Sequence, residues 1–387
     1  MSSDEPRKNS GVPGFSSTAE RVSAADSDAR DRTSSATDQF ATGEVLPGSA
    51  LKGVRWGYAT RRVDLPDEVV LVNRSIGPRA GDLVLARVVS IGQHARLELP
   101  DGRRSRLYVG DEIVVAYANR YAPDQFESEV PDDLGACHLV AAGGIASKLL
   151  SRHARVSNPT KIKPVGLLAD SQGRPLNLNN WQLASKPIPA TLPPVIVVAG
   201  TAMNAGKTTA AAHLVKGLVR SGNKVGAAKV TGTGAGGDCW QMKDAGASEV
   251  VDFTDAGYAS TYLLSAQQVE QIFLRLLSHL GSRRLDAIVV EVADGILQAE
   301  TAALLSSSSF SFYCDRVIFA AADAMGALAG VQWLQSRDLE VCAVSGSLTA
   351  SPLLVRETSS ALGLPVLSKK QLSDPSAAGS LLRGPGD

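Results

Sequence analysis

The stretch 195-VIVVAGTAMNAGKTTAAAHLVKGL-218 reads as a buried strand, a glycine-bounded loop and a helix in immediate succession. Val195 to Ala199 are apolar and mostly β-branched, the composition of a strand covered on both faces. Gly206, Lys207, Thr208 and Thr209 then open a helix whose first backbone N–H groups have no intrahelical partner. Those donors, with the positive end of the helix dipole, suit a polyphosphate. Lys207 is placed to reach its β and γ oxygens and the Thr208 hydroxyl to hold Mg²⁺. A glycine-rich turn carrying a surface lysine is the competing reading. The arrival of strand, loop and amphipathic helix in the required order weighs against it, and binding of a nucleoside triphosphate is the expectation. Five residues separate Gly200 from the Gly-Lys-Thr triplet where the usual pattern has four, and the strict pattern would begin at Thr201.

Downstream of this stretch strand and helix alternate. Residues 224–230, 286–292, 316–321 and 340–344 read as strands, with a short last one at 365–367. Residues 265–280, 301–305, 325–336 and 352–362 read as helices, the first with Ser265 and Gln268 in capping-box spacing. This order predicts an α/β fold, a mostly parallel sheet flanked by helices, whose ligands lie at the carboxyl ends of the strands.

Three further segments fall at such ends. In 227-AAKVTGTGAGGD-238, Lys229 closes an apolar strand, an expensive place for an ammonium without an anion. Glycines follow it, and Asp238 is a candidate magnesium ligand, directly or through water. Taken alone, a strand-edge lysine before a flexible turn is the simpler reading; beside a phosphate loop the functional one gains. In 286-DAIVVEVADGILQAET-301, Glu291 and Asp294 could orient Mg²⁺, a water or a substrate, or could instead cap the next helix or pair with a lysine. Asp252 and Asp255 in 250-VVDFTDAGYAST-261 are weaker candidates. Asp323 is weaker still, since it is also suited to capping a helix.

Upstream, residues 1–48 are rich in Ser, Asp, Arg, Thr and Gly and predict a disordered tail. Residues 49–131 carry short alternating strands and an Asp101-Gly102 hairpin turn, which predict a small all-β domain, barrel or sandwich. Its arginines (Arg87, Arg96, Arg103, Arg104, Arg106) are interleaved with Glu98, Asp101, Asp111 and Glu112, so a solvated face is expected rather than a nucleic-acid surface. Residues 132–192 read as a mixed connecting region, with a short helix over 139–153 and irregular structure over 157–180. Prolines at 187, 189, 193 and 194 lead into the last domain, 193–387.

With 387 residues the chain is long enough for two domains with cores, and its zero net charge exerts no global pull on nucleic acid or acidic membranes. Cys137, Cys239, Cys314 and Cys342 have no ligand spacing and suit a reducing compartment. No apolar run approaches the ~20 residues of a membrane-spanning helix, and the polar start lacks an apolar signal core. A cytoplasmic protein without membrane association is expected.

Residues 195–368 resemble the dethiobiotin-synthetase-like branch of P-loop NTPases, which includes the molybdopterin-guanine-dinucleotide biosynthesis protein B and cobyrinate amidating enzymes. The nine residues from Gly200 through Asn204, Ala205, Gly206 and Lys207 to Thr208 are similar to that group's GTDTxxGKT loop. The segment Lys229-Val230-Thr231 is similar to its Lys-Pro-Val, whose lysine serves phosphate and substrate. Glu291-Val292-Ala293-Asp294-Gly295 is similar to its Glu-Gly-Ala-Gly-Gly, whose glutamate helps hold magnesium. Ala202 replaces the loop aspartate and Val230 the proline, so the resemblance implies the fold and nucleotide site and not the substrate. The cradle it implies runs over Gly200 and Asn204 to Thr209.

The expected activity is an enzyme that uses ATP and Mg²⁺ to activate a small molecule, a carboxylate first among the choices, by ligase- or kinase-type phosphoryl transfer. Lys207, Lys229 and Glu291 would be its catalytic groups, with Thr208, Asp238 and Glu291 around the metal. A slow nucleotide-driven switch or adaptor in cofactor or metabolite biosynthesis is the alternative. The late segment 342-CAVSGSLTASP-352 lacks an Asn-Lys-x-Asp guanine reader, which leans toward ATP with GTP still open. The segment 252–261 is a candidate lid or wall over the substrate. The β domain is available to close over the substrate or to make homodimer contacts.

Overall fold

A computed structural model describes residues 43, 45–73 and 77–382. The tail expected over 1–48 lies mostly outside them, but its end is ordered, since Val45–Pro47 is a strand paired with Glu68–Val72.

Twelve strands are described before residue 170. They are β1 (Val45–Pro47), β2 (Arg55–Trp56), β3 (Glu68–Val72), β4 (Leu83–Ser90), β5 (Arg96–Glu98) and β6 (Arg104–Arg106). After them come β7 (Glu112–Tyr117), β8 (Arg120–Tyr121), β9 (Phe126–Glu129), β10 (Cys137–Ala141), β11 (Ile145–Arg152) and β12 (Thr160–Ala169). Pairings run from β4 to β7, β11, β10, β12 and back to β4, so these five strands close a ring, a small barrel. Alternate residues fill its inside, among them Val84, Val88, Ile113, Val115, Tyr117, Leu139 and Ile162. The β5–β6 hairpin turns at Gly102, whose φ is +86°.

Two stretches depart from their local signals. Residues 139–153 are not helical: β10 and β11 pair antiparallel around Gly143-Gly144, with His138 opposite Ser147 and Leu139 opposite Ala146. Helix propensity in 145-IASKLLSR-152 is weak beside the ladder bonds offered by neighbours on both edges. Residues 160–169 are a strand despite Pro164, because the register shifts between Pro164 and Gly166 and no ladder donor is required there.

The second layer is a six-stranded, all-parallel sheet: β13 (Val195–Gly200), β14 (Val225–Lys229), β15 (Glu249–Asp252), β16 (Ala287–Glu291), β17 (Arg316–Ala320) and β18 (Val341–Ser345). Their order across the sheet is β15-β14-β16-β13-β17-β18. The chain therefore leaves β13 past β16 to one side and later returns to its other flank, which opens a crevice beyond the strand ends. The helices are α1 (Lys207–Arg220), α2 (Gly237–Asp244), α3 (Ala266–Gly281), α4 (Ala299–Leu305), α5 (Ser308–Tyr313) and α6 (Ala324–Gln335), then α7 (Pro352–Leu362), α8 (Lys369–Leu372) and α9 (Pro375–Ser380). Val195, Val197 and Ala199 pack toward Phe273, Leu276 and Val331 of α3 and α6. Ile196 and Val198 pack toward Leu214, Leu218 and Met242 of α1 and α2. Both faces of β13 are thus covered, each buried aliphatic side chain contributing roughly 1.5–3 kcal/mol of transfer free energy. The capping box at α3 is formed, and Ser351 with Pro352 starts α7. Residues 365–367 make only a bridge, between Val344 and Val366, and neither α2 nor α5 was legible in the sequence. No helix among the described residues is long and apolar enough to cross a membrane.

Candidate functional site

The loop after β13 lies at the strand–helix junction its sequence demands. Gly206 immediately precedes α1 with φ +97°, and a Cβ there would come within 3.1 Å of the Gly346 and Ser347 backbone. A Cβ on Gly200 would sit 2.6 Å from the Ala320 carbonyl oxygen. Both glycines are therefore fixed by backbone geometry. Lys207, in the first turn, is buried and donates to the Ala202 carbonyl at 2.7 Å, curling back over its own loop. Burial lowers its pKa, against the pull of Glu291 and Asp294. A lysine held this way by a carbonyl can exchange that contact for phosphate oxygens.

Sheet register brings the other groups to the same place. Lys229, the last residue of β14, lies directly beside Glu291, the last of β16, and Glu291 pairs on its other side with Val198 of β13. Glu291 Oε1 accepts from the Thr208 hydroxyl at 2.7 Å, while its Oε2 is buried with no hydrogen-bond partner. Burial, then the charge of Asp238, push Glu291 up to about 7, opposed by Lys229, Thr208 and Lys207. Lys229 is held protonated: burial disfavours its charge, but Asp238 and Glu291 outweigh that. Asp238, on the first turn of α2, forms a short ion pair with Lys229. Asp294 has φ +61°, is buried, and is pushed upward in pKa by burial against Lys229 and Lys207.

These residues fit one divalent cation. An orphan carboxylate oxygen on Glu291 lies beside the Thr208 hydroxyl, with Asp238 lining the same cavity, and no cluster of three or more His, Cys, Asp or Glu suited to a metal occurs among the described residues. A hydroxyl and one or two carboxylates, completed by phosphate and water, is the set Mg²⁺ takes in phosphate sites, whereas a closed protein cage is not.

Two cavities meet at the loop. One, about 690 Å³, is lined by Lys207, Thr208, Lys229, Asp238, Glu291 and Asp294 from the sheet and by Gln93, His94, Arg104, Arg120, Asp124 and Gln125 from the β layer. The other, about 480 Å³, lies past β18 against Ser345 to Ser347, Thr349 and Ser368 to Lys370. Asn204, Gly206 and Thr209 line both. The β layer therefore forms the far wall of the phosphate site. Asn204, at φ +67°, donates to Asp124 Oδ2 of that wall at 3.1 Å.

The weaker candidates have other partners. Asp252 and Asp255 both bind Arg61 of the β layer, at 3.1 and 2.5 Å, and Tyr58 donates to Asp252 at 3.0 Å. Burial raises Asp252, but Arg61 and Thr254 outweigh it and hold the carboxylate below its ordinary pKa. Cys239 is buried against the same carboxylate, its thiol pushed up. Most of 252–261 is buried around this knot, and none of it lines either cavity at the loop, so it is a seam between layers and not a lid. Asp323 caps α6 through Gly326 N at 2.7 Å. A second clasp is Glu98, fully buried, which accepts from Gly236 N and from Trp240 Nε1.

Sequence reasoning missed the β-layer wall, Arg120 above all. The signal was present: Arg120 follows the apolar run 113-IVVAYA-118, the same placement that singled out Lys229.

Residues 195–295, from β13 to just past β16, match the family model described as molybdopterin guanine dinucleotide synthesis protein B. This part of the chain has the P-loop NTPase fold. Among solved structures, the signal recognition particle 54 kDa protein of Aeropyrum pernix K1, in complex with GDP, is 19% identical with a TM-score of 0.34. That likeness covers 51% of this chain and 48% of the other, so the chain spans about half the length of that protein. The cell division protein FtsY of Thermotoga maritima is 16% identical, TM-score 0.31, over 53% of this chain and 73% of that one. The kinase domain of the Escherichia coli tyrosine kinase ETK is 11% identical, TM-score 0.31, over 40% and 68%. A comparison with curated proteins gave no match.

Proposed function

We propose that the chain is an enzyme that transfers the γ-phosphoryl group of a nucleoside triphosphate, ATP first, to a small molecule held in the cavity between the parallel sheet and the β layer. The observation that carries this reading is the two-sided cavity: the phosphate loop faces a space of about 690 Å³ whose far wall belongs to the same chain. That is the size of a metabolite pocket, not of a docking face for a protein switch partner.

The nucleoside would occupy the second cavity, past β18, so that its phosphates run along Asn204 to Thr209 into the larger one. Residues lining that second cavity include Ser347, Thr349 and Lys369 but no carboxylate to accept the ring N–H and amino groups of guanine, which supports adenine. Mg²⁺, when bound by Thr208 and Glu291, would neutralise charge on the β and γ oxygens. The chain's own residues supply position and charge. Lys207 would leave the Ala202 carbonyl for the γ oxygens, and Lys229, protonated and fixed by Asp238, would face the charge that develops on the transferred group. With a carboxylate acceptor, one of its oxygens would bond to the γ-phosphorus as the bond to the β–γ bridging oxygen breaks, giving an acyl phosphate and the diphosphate. No proton need move.

The test is a metabolite screen for ATP-to-ADP conversion with Mg²⁺, run beside Lys207→Ala. Turnover that rises with one small compound and disappears in K207A is the expected result. Stimulation by a protein alone would favour the switch reading, unchanged triphosphate affinity and turnover in K207A would remove Lys207 from the site, and no triphosphate binding to the wild type would end the nucleotide reading altogether.

A further inference from the structure

Among the described residues, Arg120 of β8 has no counter-ion within ion-pairing distance. It is 6% exposed and lines the larger cavity. One guanidinium nitrogen donates to Gln125 Oε1 at 2.9 Å, and the guanidinium lies 5.7 Å from the Phe126 ring centroid. Its Nε and its other terminal nitrogen are buried with no hydrogen-bond partner among the described residues. Among the described residues no carboxylate lies within ion-pairing distance; Asp124 acts on it only from farther away. Burial accordingly lowers even this guanidinium, to about 10. Asp124 itself spends Oδ2 on Asn204, and its Oδ1 is also buried and unpartnered.

Burying a guanidinium unpaired costs several kcal/mol, more than a stacked phenyl ring and one neutral amide return. A chain that retains such a group inside a ligand cavity gains from it when an anion arrives. Lys207, Thr208 and the loop serve the triphosphate from the sheet side. Arg120 approaches from the opposite wall, where the second reactant must sit.

We propose that Arg120 is the binding group for an oxyanion, a carboxylate or phosphate, carried by the small-molecule acceptor, and that Asp124 Oδ1 receives a hydrogen-bond donor on the same molecule. Arg104, exposed and lining the same cavity, adds a second positive charge. The acceptor class is thus a small acid bearing a neighbouring hydroxyl or amino group. This rests on the phosphoryl-transfer reading for its second reactant, but the anion site can be tested without turnover.

The experiment uses the full chain, wild type and Arg120→Met, with succinate and inorganic phosphate as probes. Each is titrated by calorimetry at millimolar concentrations, onto the free protein and onto protein saturated with Mg²⁺ and a non-hydrolysable ATP analogue; thermal unfolding is followed alongside. At least one probe should bind the loaded wild type at one per chain. R120M should weaken that binding about tenfold or more, the loss of a charge-assisted bond, and change analogue affinity by less than about threefold. Its unliganded unfolding midpoint should hold or rise, because an uncompensated charge has been removed. Retained anion binding in R120M loaded with the analogue, or no binding of either probe to wild type, overturns the proposal. Equal loss of analogue and probe would assign Arg120 to the triphosphate instead, and also overturns it. A fall in midpoint with probe binding intact would make the residue structural. Should R120M fail to fold, Arg120→Lys carries the test: weaker probe binding with analogue affinity unchanged is expected, and unchanged probe binding refutes the role. If the analogue does not bind wild type, the nucleotide reading fails separately, while the titration of the free protein still judges Arg120.

Discussion

Arg61→Ala is the perturbation that most directly tests how the two layers are held over the site. Arg61 bridges Asp252 and Asp255, donates to Thr254, and stacks with its guanidinium 4.3 Å from the Tyr58 ring centroid. The two carboxylate side chains are only 1% and 7% exposed. Removing one partner of a buried pair leaves the other charge uncompensated and costs about 3–5 kcal/mol. Here Arg61 serves both anions, and Arg62 reaches only Asp255, at 3.6 Å from a half-exposed position, so the upper part of that range is expected, a large fraction of the ~5–15 kcal/mol by which domains are stable. The assay is denaturant unfolding followed by tryptophan fluorescence, which includes Trp240, packed edge-on to Tyr58 at 6.0 Å and bonded to Glu98. The pH sign follows from Asp252, whose folded pKa is depressed. Its contribution is present above the unfolded carboxylate range and is lost as pH falls through the folded value. The gap between wild type and R61A should therefore narrow on acidification from neutral pH. Adding Asp252→Asn and Asp255→Asn to R61A should restore much of the loss, since neutral side chains no longer need the guanidinium. A loss below about 1 kcal/mol, or a triple variant no better than R61A, would show that the cluster does not hold the layers together.

Two further outcomes follow from the site's electrostatics. Glu291 is raised to about 7 from its ordinary value of 4.5, so the folded state holds the proton more tightly; its contribution to stability is full in acid and is lost as pH rises toward and through about 7. Glu291→Gln should accordingly stabilise the unliganded protein at pH 8, change little near pH 4, and weaken Mg²⁺-dependent nucleotide binding, as read by thermal unfolding across pH; equal effects at both pH values would refute the assignment. Lys229→Ala should lower turnover by about 10²-fold or more while leaving ATP affinity nearly unchanged, provided that Lys229 meets charge that develops on the transferred group. Steady-state kinetics beside equilibrium binding would separate these, and equal losses in both would place Lys229 in ground-state binding.

The α/β fold was legible because its signals are local. A both-faces-buried strand must be continuously apolar, a phosphate loop must place glycine where Cβ would strike the Ala320 carbonyl or the Gly346 backbone, and the capping box of α3 spans four consecutive residues. Lys207, Thr208, Lys229 and Glu291 could be chosen without coordinates because strand ends and helix starts fix where their backbones lie. The hairpin of β10 and β11 was not legible, since Ala, Leu and Lys favour a helix until neighbouring strands offer a ladder on both edges. Nor were the uses of Asp252, Asp255 and Glu98, which depend on partners far away in the chain, Arg61 and Trp240 among them. What the sequence determined by itself were features set by bonds within a few residues, the strand–loop–helix of β13 and α1 and the capping box of α3 foremost. What only the tertiary structure decided was the pairing of charges across the two layers, because the free energy of a buried charge depends on who faces it, and chain order does not encode that neighbour.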